Sequence, residues 1–299
     1  MLSIMKLLHP LAKAVDKAMQ TDGELHAKVM MVARFLVQET NPDQDEKIIN
    51  LLYDATMQVQ RRRMSIGEVG RIVDWLRNRP ARKYAALPKC DKVDPSLVLR
   101  VNSINYKFEN LVERSDEIPK DGREILKILY PFNPYICIGH DVFNFHTKRL
   151  SEWLTQSLDG AQYLAPNPMK AESMEKPDGG ITRKCHDLVL SRWYLAVEFD
   201  SGTADEQVRR LAWLGTKRGG CLPLTLVTFS GSKSMHGLFR VKGLHEKRLA
   251  RFYDLAISLG ADPALWTPSQ FTRMPQGFNK SKNKKQRCYF LSRQNAISG

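Results

Sequence analysis

The sequence lacks paired cysteines, long apolar runs and a loop of the nucleotide-binding GxxxxGK[ST] type. Its five cysteines are scattered, with no CxxC pair, which argues against a disulfide framework and predicts a cytoplasmic protein in a reducing compartment. No stretch has the length of a transmembrane helix, and the first eight residues lack a signal-peptide core, so we expect no membrane partner. Without the GxxxxGK[ST] loop, any helicase activity must come from another protein.

A zinc site is also disfavoured. The local Cys and His candidates are Cys137-x-x-His140 and Cys185-His186. Neither has a second pair at the spacing that structural zinc sites use.

Acidic residues are absent from Pro263 to Gly299, although the chain as a whole carries a net charge of +14. Such a basic stretch is either a solvated tail or a surface that binds phosphates, and the overall charge favours a polyanionic partner such as nucleic acid. The cations of this stretch that we expect to bind nucleic acid are Lys280, Lys282, Lys284, Lys285 and Arg287.

The first part of the chain has helical patterns. Capping boxes of the S/T-x-x-E type begin at Thr21 and Ser65, and apolar residues follow at helical spacing. A further helix is predicted from Pro95 to Arg114. We expect an all-helical accessory domain over residues 1–122, which ends at the Pro/Gly-containing linker Ile118–Gly122.

Residues 123–299 have a mixed α/β pattern, so the predicted fold class is α+β. Helices are predicted over Thr147–Leu158, after a capping box at Thr203, and over Glu246–Leu259. The predicted strands are Tyr135–Ile138, Tyr194–Asp200, Leu222–Phe229, Gly237–Val241 and Arg287–Leu291.

One predicted strand, Tyr194–Asp200, ends in two carboxylates. Residues i and i+2 of a strand point to the same face, so Glu198 and Asp200 are expected side by side. Neighbouring carboxylates repel each other unless a cation lies between them, and Mg²⁺ or Mn²⁺ prefers oxygen ligands. Asp262, after the predicted helix Glu246–Leu259, is either a third ligand or a turn residue before Pro263.

The turn from Ser230 to His236 joins two predicted strands and combines hydroxyls, a glycine and a cation. Such a turn can present backbone N–H groups, hydroxyls and Lys233 to phosphate oxygens. Taken alone, His236 is better explained by a structural role at the start of a strand than by ligand binding.

Together these pieces resemble the archaeo-eukaryotic primase superfamily, and most closely the primases and primase-polymerases of phages, plasmids and other mobile elements. The resemblance covers roughly residues 130–295. It rests on Glu198-x-Asp200, the turn that ends at His236, and Asp262 followed by the loop containing Arg273-Met274-Pro275 and Asn279. The first motif departs from the commoner Asp-x-Asp or Asp-x-Glu, and the loop reads Arg-Met-Pro-Gln-Gly where the family has Arg-x-Pro-Gly.

The resemblance implies a template-dependent nucleotidyltransferase with an RNA-recognition-type sheet in its catalytic core. Glu198, Asp200 and Asp262 would be catalytic and hold Mg²⁺ or Mn²⁺. Single-stranded DNA would be the template, nucleoside triphosphates the substrates, and a separate helicase or replication initiator a partner in mobile-element replication. The residues implied to bind the nucleotide are Ser230, Ser232, Lys233, His236, Arg273 and Asn279.

Two other functions stay open at this point. A non-catalytic replication protein that binds single-stranded nucleic acid would not need the carboxylates. A metal-dependent nuclease would use the carboxylates but not the Ser/Lys/His turn.

Overall fold

The computed structural model describes residues 29–30, 32–33, 36–37, 42–57, 64–78, 93–176 and 179–297. Helices and antiparallel sheets are both present, which confirms the α+β class. The chain divides into two compact units, one of residues 1–83 with 175–181 and the other of residues 84–174 with 182–299. The expected domain boundary at residue 122 stays a prediction.

The first unit contains a pair of helices, α1 (Asp45–Met57) and α2 (Ile66–Arg77). The predicted capping box at Ser65 is present, because the Ser65 hydroxyl accepts from the Glu68 amide and the Glu68 carboxylate accepts from the Ser65 amide. The box at Thr21 lies outside the described residues. Buried Leu52, Val69 and Ile72 belong to a separate hydrophobic core.

The second unit begins with three short helices, α3 (Pro95–Asn102), α4 (Phe108–Glu113) and α5 (Gly122–Leu129). The prediction of one helix from Pro95 to Arg114 is therefore wrong. The guanidinium of Arg209 donates to the backbone carbonyls of Asn102 and Tyr106, so a tertiary contact satisfies groups that a continuous helix would have paired internally.

The remaining elements follow in chain order. The strands are β1 (Tyr135–Gly139), β2 (Phe145–Arg149), β3 (Tyr163–Leu164), β4 (Met174–Glu175), β5 (Ile181–Thr182), β6 (Tyr194–Phe199), β7 (Leu224–Phe229), β8 (Met235–Arg240), β9 (Thr272–Arg273), β10 (Phe278–Asn279), β11 (Lys284–Lys285) and β12 (Cys288–Leu291). The helices are α6 (Leu150–Leu154), α7 (Ala204–Leu214), α8 (Glu246–Ser258) and α9 (Arg293–Ile297).

The first sheet of the second unit has the strand order β2-β1-β3-β9, and all its pairs are antiparallel. The predicted helix over Thr147–Leu158 is wrong at its start, because Thr147 lies within β2 and pairs with Cys137. Thr147 is buried and donates its hydroxyl to the backbone oxygen of Arg183. Its hydroxyl thus serves a tertiary contact in place of the expected helix cap.

The second sheet has the order β12-β7-β8-β6, and its elements follow the chain order β-α-β-β-α-β. Helices α7 and α8 pack on one face of it. A Cβ atom added to Gly237 would lie 2.6 Å from the Leu211 side chain of α7, and the rings of Phe239 and Phe252, the latter on α8, have centroids 5.0 Å apart. A larger residue at position 237 would therefore displace α7.

The opposite face of this sheet is directed toward the first sheet. His236 of β8 contacts Thr272 of β9 through their side chains. Tyr194, at the start of β6, donates its hydroxyl to the carbonyl of Leu129 at the end of α5. Because alternate residues of a strand share a face, Glu198 of β6 lies on this same side, between the two sheets.

Candidate active site

A row of polar residues crosses the second sheet on the face directed toward the first sheet. The strand register places Glu198 opposite His236 and His236 opposite Thr228. Directly opposed residues on one face have Cβ atoms about 5 Å apart. The row is unusual because the remainder of this interior is mostly apolar.

His236 is buried, and both of its ring nitrogens face hydroxyl groups. Nε2 lies 3.2 Å from the Ser234 hydroxyl and 3.4 Å from a Glu198 carboxylate oxygen, while Nδ1 lies 3.3 Å from the Thr272 hydroxyl. Burial, and secondarily the positive charge of Arg273, lowers the pKa of His236 to about 3. The ring is therefore neutral at pH 7, in contrast to the imidazolium that phosphate binding would favour.

Glu198 is partly buried, with 19% of its side chain exposed. Burial raises the pKa of its carboxyl group, and the charges of Asp262 and Asp200 raise it further, whereas Ser234 and Arg273 act in the opposite direction. Asp262 and Asp200 thus lie near enough for their charges to act on Glu198. A carboxylate held among other carboxylates in a partly dry site is a favourable place for a cation.

Asp200 directly follows β6 and is more exposed, at 53% of its side chain. Its carboxylate pairs with the ammonium of Lys233 at 2.8 Å. The Ser230–His236 turn therefore reaches the carboxylates, and the ammonium of its Lys233 pairs with one of them.

Asp262 is held at the end of β6 by its main chain. Its N–H donates to the backbone oxygen of Glu198 at 3.1 Å, and its backbone oxygen accepts from the Tyr253 hydroxyl at 2.8 Å. The carboxylate accepts from the amide of Ala264 at the start of a 3₁₀ turn. Asp262 is thus both a turn residue and a neighbour of Glu198, so the two interpretations of its role are compatible.

The Ser230–His236 turn is rigid at its base and exposed at its tip. The buried Ser230 hydroxyl accepts from the amides of Ser232 and Ser234, so it shapes the turn. Ser232 and Lys233 are exposed at the tip. These two side chains, rather than Ser230, are therefore the ones that can meet a ligand directly.

Gln207 of α7 is a residue of this site that the sequence analysis missed. Its buried side chain donates to the backbone oxygens of Gly202 and Lys233 and accepts from the amide of Met235. It therefore joins the loop after Asp200 to the turn before His236. A glutamine in the second turn of an amphipathic helix carries no sequence signal of such a role. Ser234 and Thr272, which contact His236, are recognisable only once the strands are paired.

Two residues of the downstream loop occupy different environments. Arg273 stacks over the Tyr163 ring, with the guanidinium carbon 4.9 Å from the ring centroid. Its charge reaches both Glu198 and His236. Asn279 is buried, donates to the backbone oxygen of Ser230 and accepts from Ser281 and Lys282. Arg273 is therefore near the carboxylates, and Asn279 braces the base of the turn.

The basic segment lies at the surface next to this loop. Its predicted nucleic-acid-binding residues are all exposed, namely Lys280, Lys282, Lys284, Lys285 and Arg287. Lys284 and Lys285 form β11, which pairs with β10. The segment is thus part of a small folded hairpin.

We expect the basic segment to make the affinity for single-stranded DNA depend on salt. Replacing Lys282, Lys284 and Lys285 by Ala should make the slope of log affinity against log salt shallower by up to about 2, at about 0.7 per phosphate contact. The affinity at each salt concentration is measured by fluorescence anisotropy with a labelled oligonucleotide. Replacing the exposed Lys247, Arg248 and Arg251 of α8 removes the same charge from the other face of the sheet and serves as control. Equal slopes for the two triple variants would show that only net charge matters.

The three carboxylates have the chemistry of ligands for a hard divalent cation, but their side chains are not arranged around one common point. The three carboxylates offer only oxygen ligands, which Mg²⁺ and Mn²⁺ prefer. Burial is the main cause of the raised pKa of Glu198, and the charges of Asp262 and Asp200 add to it. Within the described residues, no group of three or more His, Cys, Asp and Glu side chains is arranged to hold a metal ion. None of the described helices is long and apolar enough to cross a membrane.

Comparison with known proteins gives no relative. No protein-family model matches the chain, and no curated protein or solved structure matches it.

Proposed function

We propose that this protein is a template-dependent nucleotidyltransferase, a primase or primase-polymerase that makes primers on single-stranded DNA during replication of a mobile element. The observation that carries the proposal is that Asp262 is hydrogen-bonded through its main chain to Glu198, near the end of β6 and next to Asp200. Lys233 pairs with Asp200, and the charge of Arg273 reaches Glu198. The resemblance of the three motifs to the archaeo-eukaryotic primases supports the same activity.

Each part of the candidate site has a task in nucleotidyl transfer. Glu198, Asp200 and Asp262 would hold Mg²⁺ or Mn²⁺, which supplies activation of a 3′-hydroxyl and neutralises charge on the transferred phosphate. The exposed Ser232 and Lys233 can donate to the triphosphate of the incoming nucleotide. Lys233 would exchange its carboxylate partner for a phosphate when the cation arrives.

Arg273 adds a fixed positive charge near the carboxylates and is suited to bind a phosphate of the nucleotide or the template. His236 has a different task. Because its ring is neutral and buried between Glu198 and Thr272, we assign it to positioning Glu198. Ser230, Asn279 and Gln207 hold the turn and the loops around it.

The family assignment and the RNA-recognition-type sheet belong to this proposal as well. The β-α-β-β-α-β chain order of the second sheet supports the likeness to an RNA-recognition-type sheet. Counted along the chain, the fourth strand of this sheet is β12, and it pairs with the second strand, β7. A separate helicase or replication initiator and a cytoplasmic location complete the proposed setting.

The decisive experiment is nucleotide incorporation by the full chain. Purified protein, a single-stranded template, labelled nucleotides and Mg²⁺ or Mn²⁺ are combined with and without a primer. We expect template-dependent products that require the divalent ion. Shortening of the template instead of product synthesis would identify a metal-dependent nuclease, and template binding without either reaction would identify a non-catalytic binding protein.

A further inference from the structure

A groove of about 710 Å³ lies beside the loop that follows Arg273. One wall is formed by the start of α5, the next by Ser157–Gly160, and the floor by Met274–Phe278 with Lys285. The groove is open at the surface of the second unit. It has none of the candidate catalytic residues in its lining.

The charges along the groove are mostly positive. The groove is lined by Lys120, Arg123 and Lys285. Lys280 is close to it as well, because a Cβ atom added to Gly160 would lie 3.4 Å from the Lys280 side chain. Two carboxylates face the same groove, Asp121 and Asp159. Asp121 is occupied, because it pairs with Arg123 at 2.7 Å and caps α5.

A hairpin tip with an exposed aromatic ring stands at the Gly160 side of the groove. His140, whose ring also borders Gly160, begins the turn between β1 and β2, and Phe143 lies at the tip. Phe143 is 92% exposed. The turn is well defined, because the Asp141 carboxylate accepts from the amides of Phe143 and Asn144 at 2.8 and 2.6 Å.

Contact between an exposed phenylalanine ring and water is unfavourable, and on an ordered turn the ring is removed from water only when a partner covers it. Proteins that bind single strands combine a basic groove along the phosphates with aromatic rings on which bases stack. The groove has the first feature, and Phe143 offers the second on the turn whose His140 borders Gly160.

We propose that single-stranded DNA lies along this groove with its phosphates on Lys120, Lys285 and Lys280, and that one base stacks on Phe143. This inference rests on the proposed function and deepens it, since it names a surface that would bind the template. In a duplex the bases are stacked and paired with each other, so its interior bases are not available to Phe143.

Two oligonucleotides separate stacking from phosphate binding. One is a labelled oligothymidylate, and the other is an abasic strand of equal length, which keeps the phosphates but has no bases. Phe143→Ala is expected to weaken binding of the first by at least about fivefold and to leave the second unchanged, because stacking on an aromatic side chain contributes about 1–3 kcal/mol per base. Lys285→Ala is expected to weaken the binding of both oligonucleotides to the same degree.

Phe132→Ala is the matched control. Phe132 is 87% exposed but precedes β1, at the opposite end of that strand from the Phe143 turn. Affinities of Phe132→Ala for both strands are expected to equal those of the unchanged protein. Equal effects of the two Phe variants, or an equal loss on both strands for Phe143→Ala, would overturn the stacking assignment.

Binding is measured by anisotropy without nucleotides or metal, so its outcome is separate from nucleotide incorporation. If the protein incorporates nucleotides while Phe143→Ala binds oligothymidylate normally, the groove inference fails and the proposed function stands. If the expected binding pattern occurs in a protein that incorporates nothing, the proposed function fails and the groove inference stands.

Discussion

The variant Asp200→Asn is expected to lose nucleotide incorporation almost completely, with kcat lowered by about 100-fold or more, a typical cost of removing one electrostatic contact to a reacting group. The substitution keeps the size of the side chain and removes one negative charge from the three carboxylates. Its melting temperature is expected to change by less than about 2 °C, because Asp200 is exposed and its ion pair with Lys233 lies at the surface.

The comparison needs a carboxylate that shares the exposure of Asp200 but not its position. Asp74 on α2 is exposed and belongs to the first unit, so Asp74→Asn is expected to incorporate nucleotides at the normal rate. Incorporation rates and thermal melts are measured for both variants. Full incorporation by Asp200→Asn would remove this carboxylate from the catalytic site.

Acid is expected to destabilise the folded protein through His236. The unfolded chain binds a proton to this residue near its ordinary pKa of 6.5, whereas the folded protein resists protonation until about pH 3. Stability is therefore undiminished above pH 6.5 and falls as the pH drops through the interval between these values. The limiting slope for one such group is about 1.4 kcal/mol per pH unit.

Glu198 acts in the opposite direction. Its pKa is raised in the folded state, mainly by burial, so the folded protein takes up a proton more readily than the unfolded chain, and acid removes the unfavourable buried charge. The contribution of His236 to the pH dependence of stability must therefore be measured by comparing two proteins that both contain Glu198 and differ only at position 236.

The variant His236→Gln provides that comparison because glutamine is polar and does not titrate. Urea unfolding is measured at pH 7 and pH 5 for both proteins. We expect the unchanged protein to lose markedly more stability over this interval than the variant, and the variant to be less stable at pH 7 because the hydroxyls of Ser234 and Thr272 lose their partner. Parallel losses in the two proteins would show that His236 is accessible to protons in the folded state.

The strands and helices in which apolar residues recur at one regular spacing were predictable from the sequence. Strand β6 was recognised from its apolar run, and α7 from its capping box, which the structure confirms through the contacts between Thr203 and Glu206. These signals are local, because neighbouring residues of one segment create them. The helix predicted from Thr147 failed because Thr147 instead faces the interior of the first sheet and pairs with Cys137.

The residues of the site were also predictable in part. The alternation of side chains along β6 led to Glu198 and Asp200, and the small polar residues of the following turn led to Lys233. Gln207 and Thr272 were not found, because each contacts residues that are far from it in the sequence.

The sequence alone determined that two carboxylates end a buried strand and that a basic segment without acidic residues follows them, since both features are set by order along the chain. Only the tertiary structure decided the state of His236. The pairing of β6 with β8 sets it opposite Glu198, and β9 places the Thr272 hydroxyl against its other nitrogen. Burial between two sheets, which no local pattern encodes, keeps this histidine neutral.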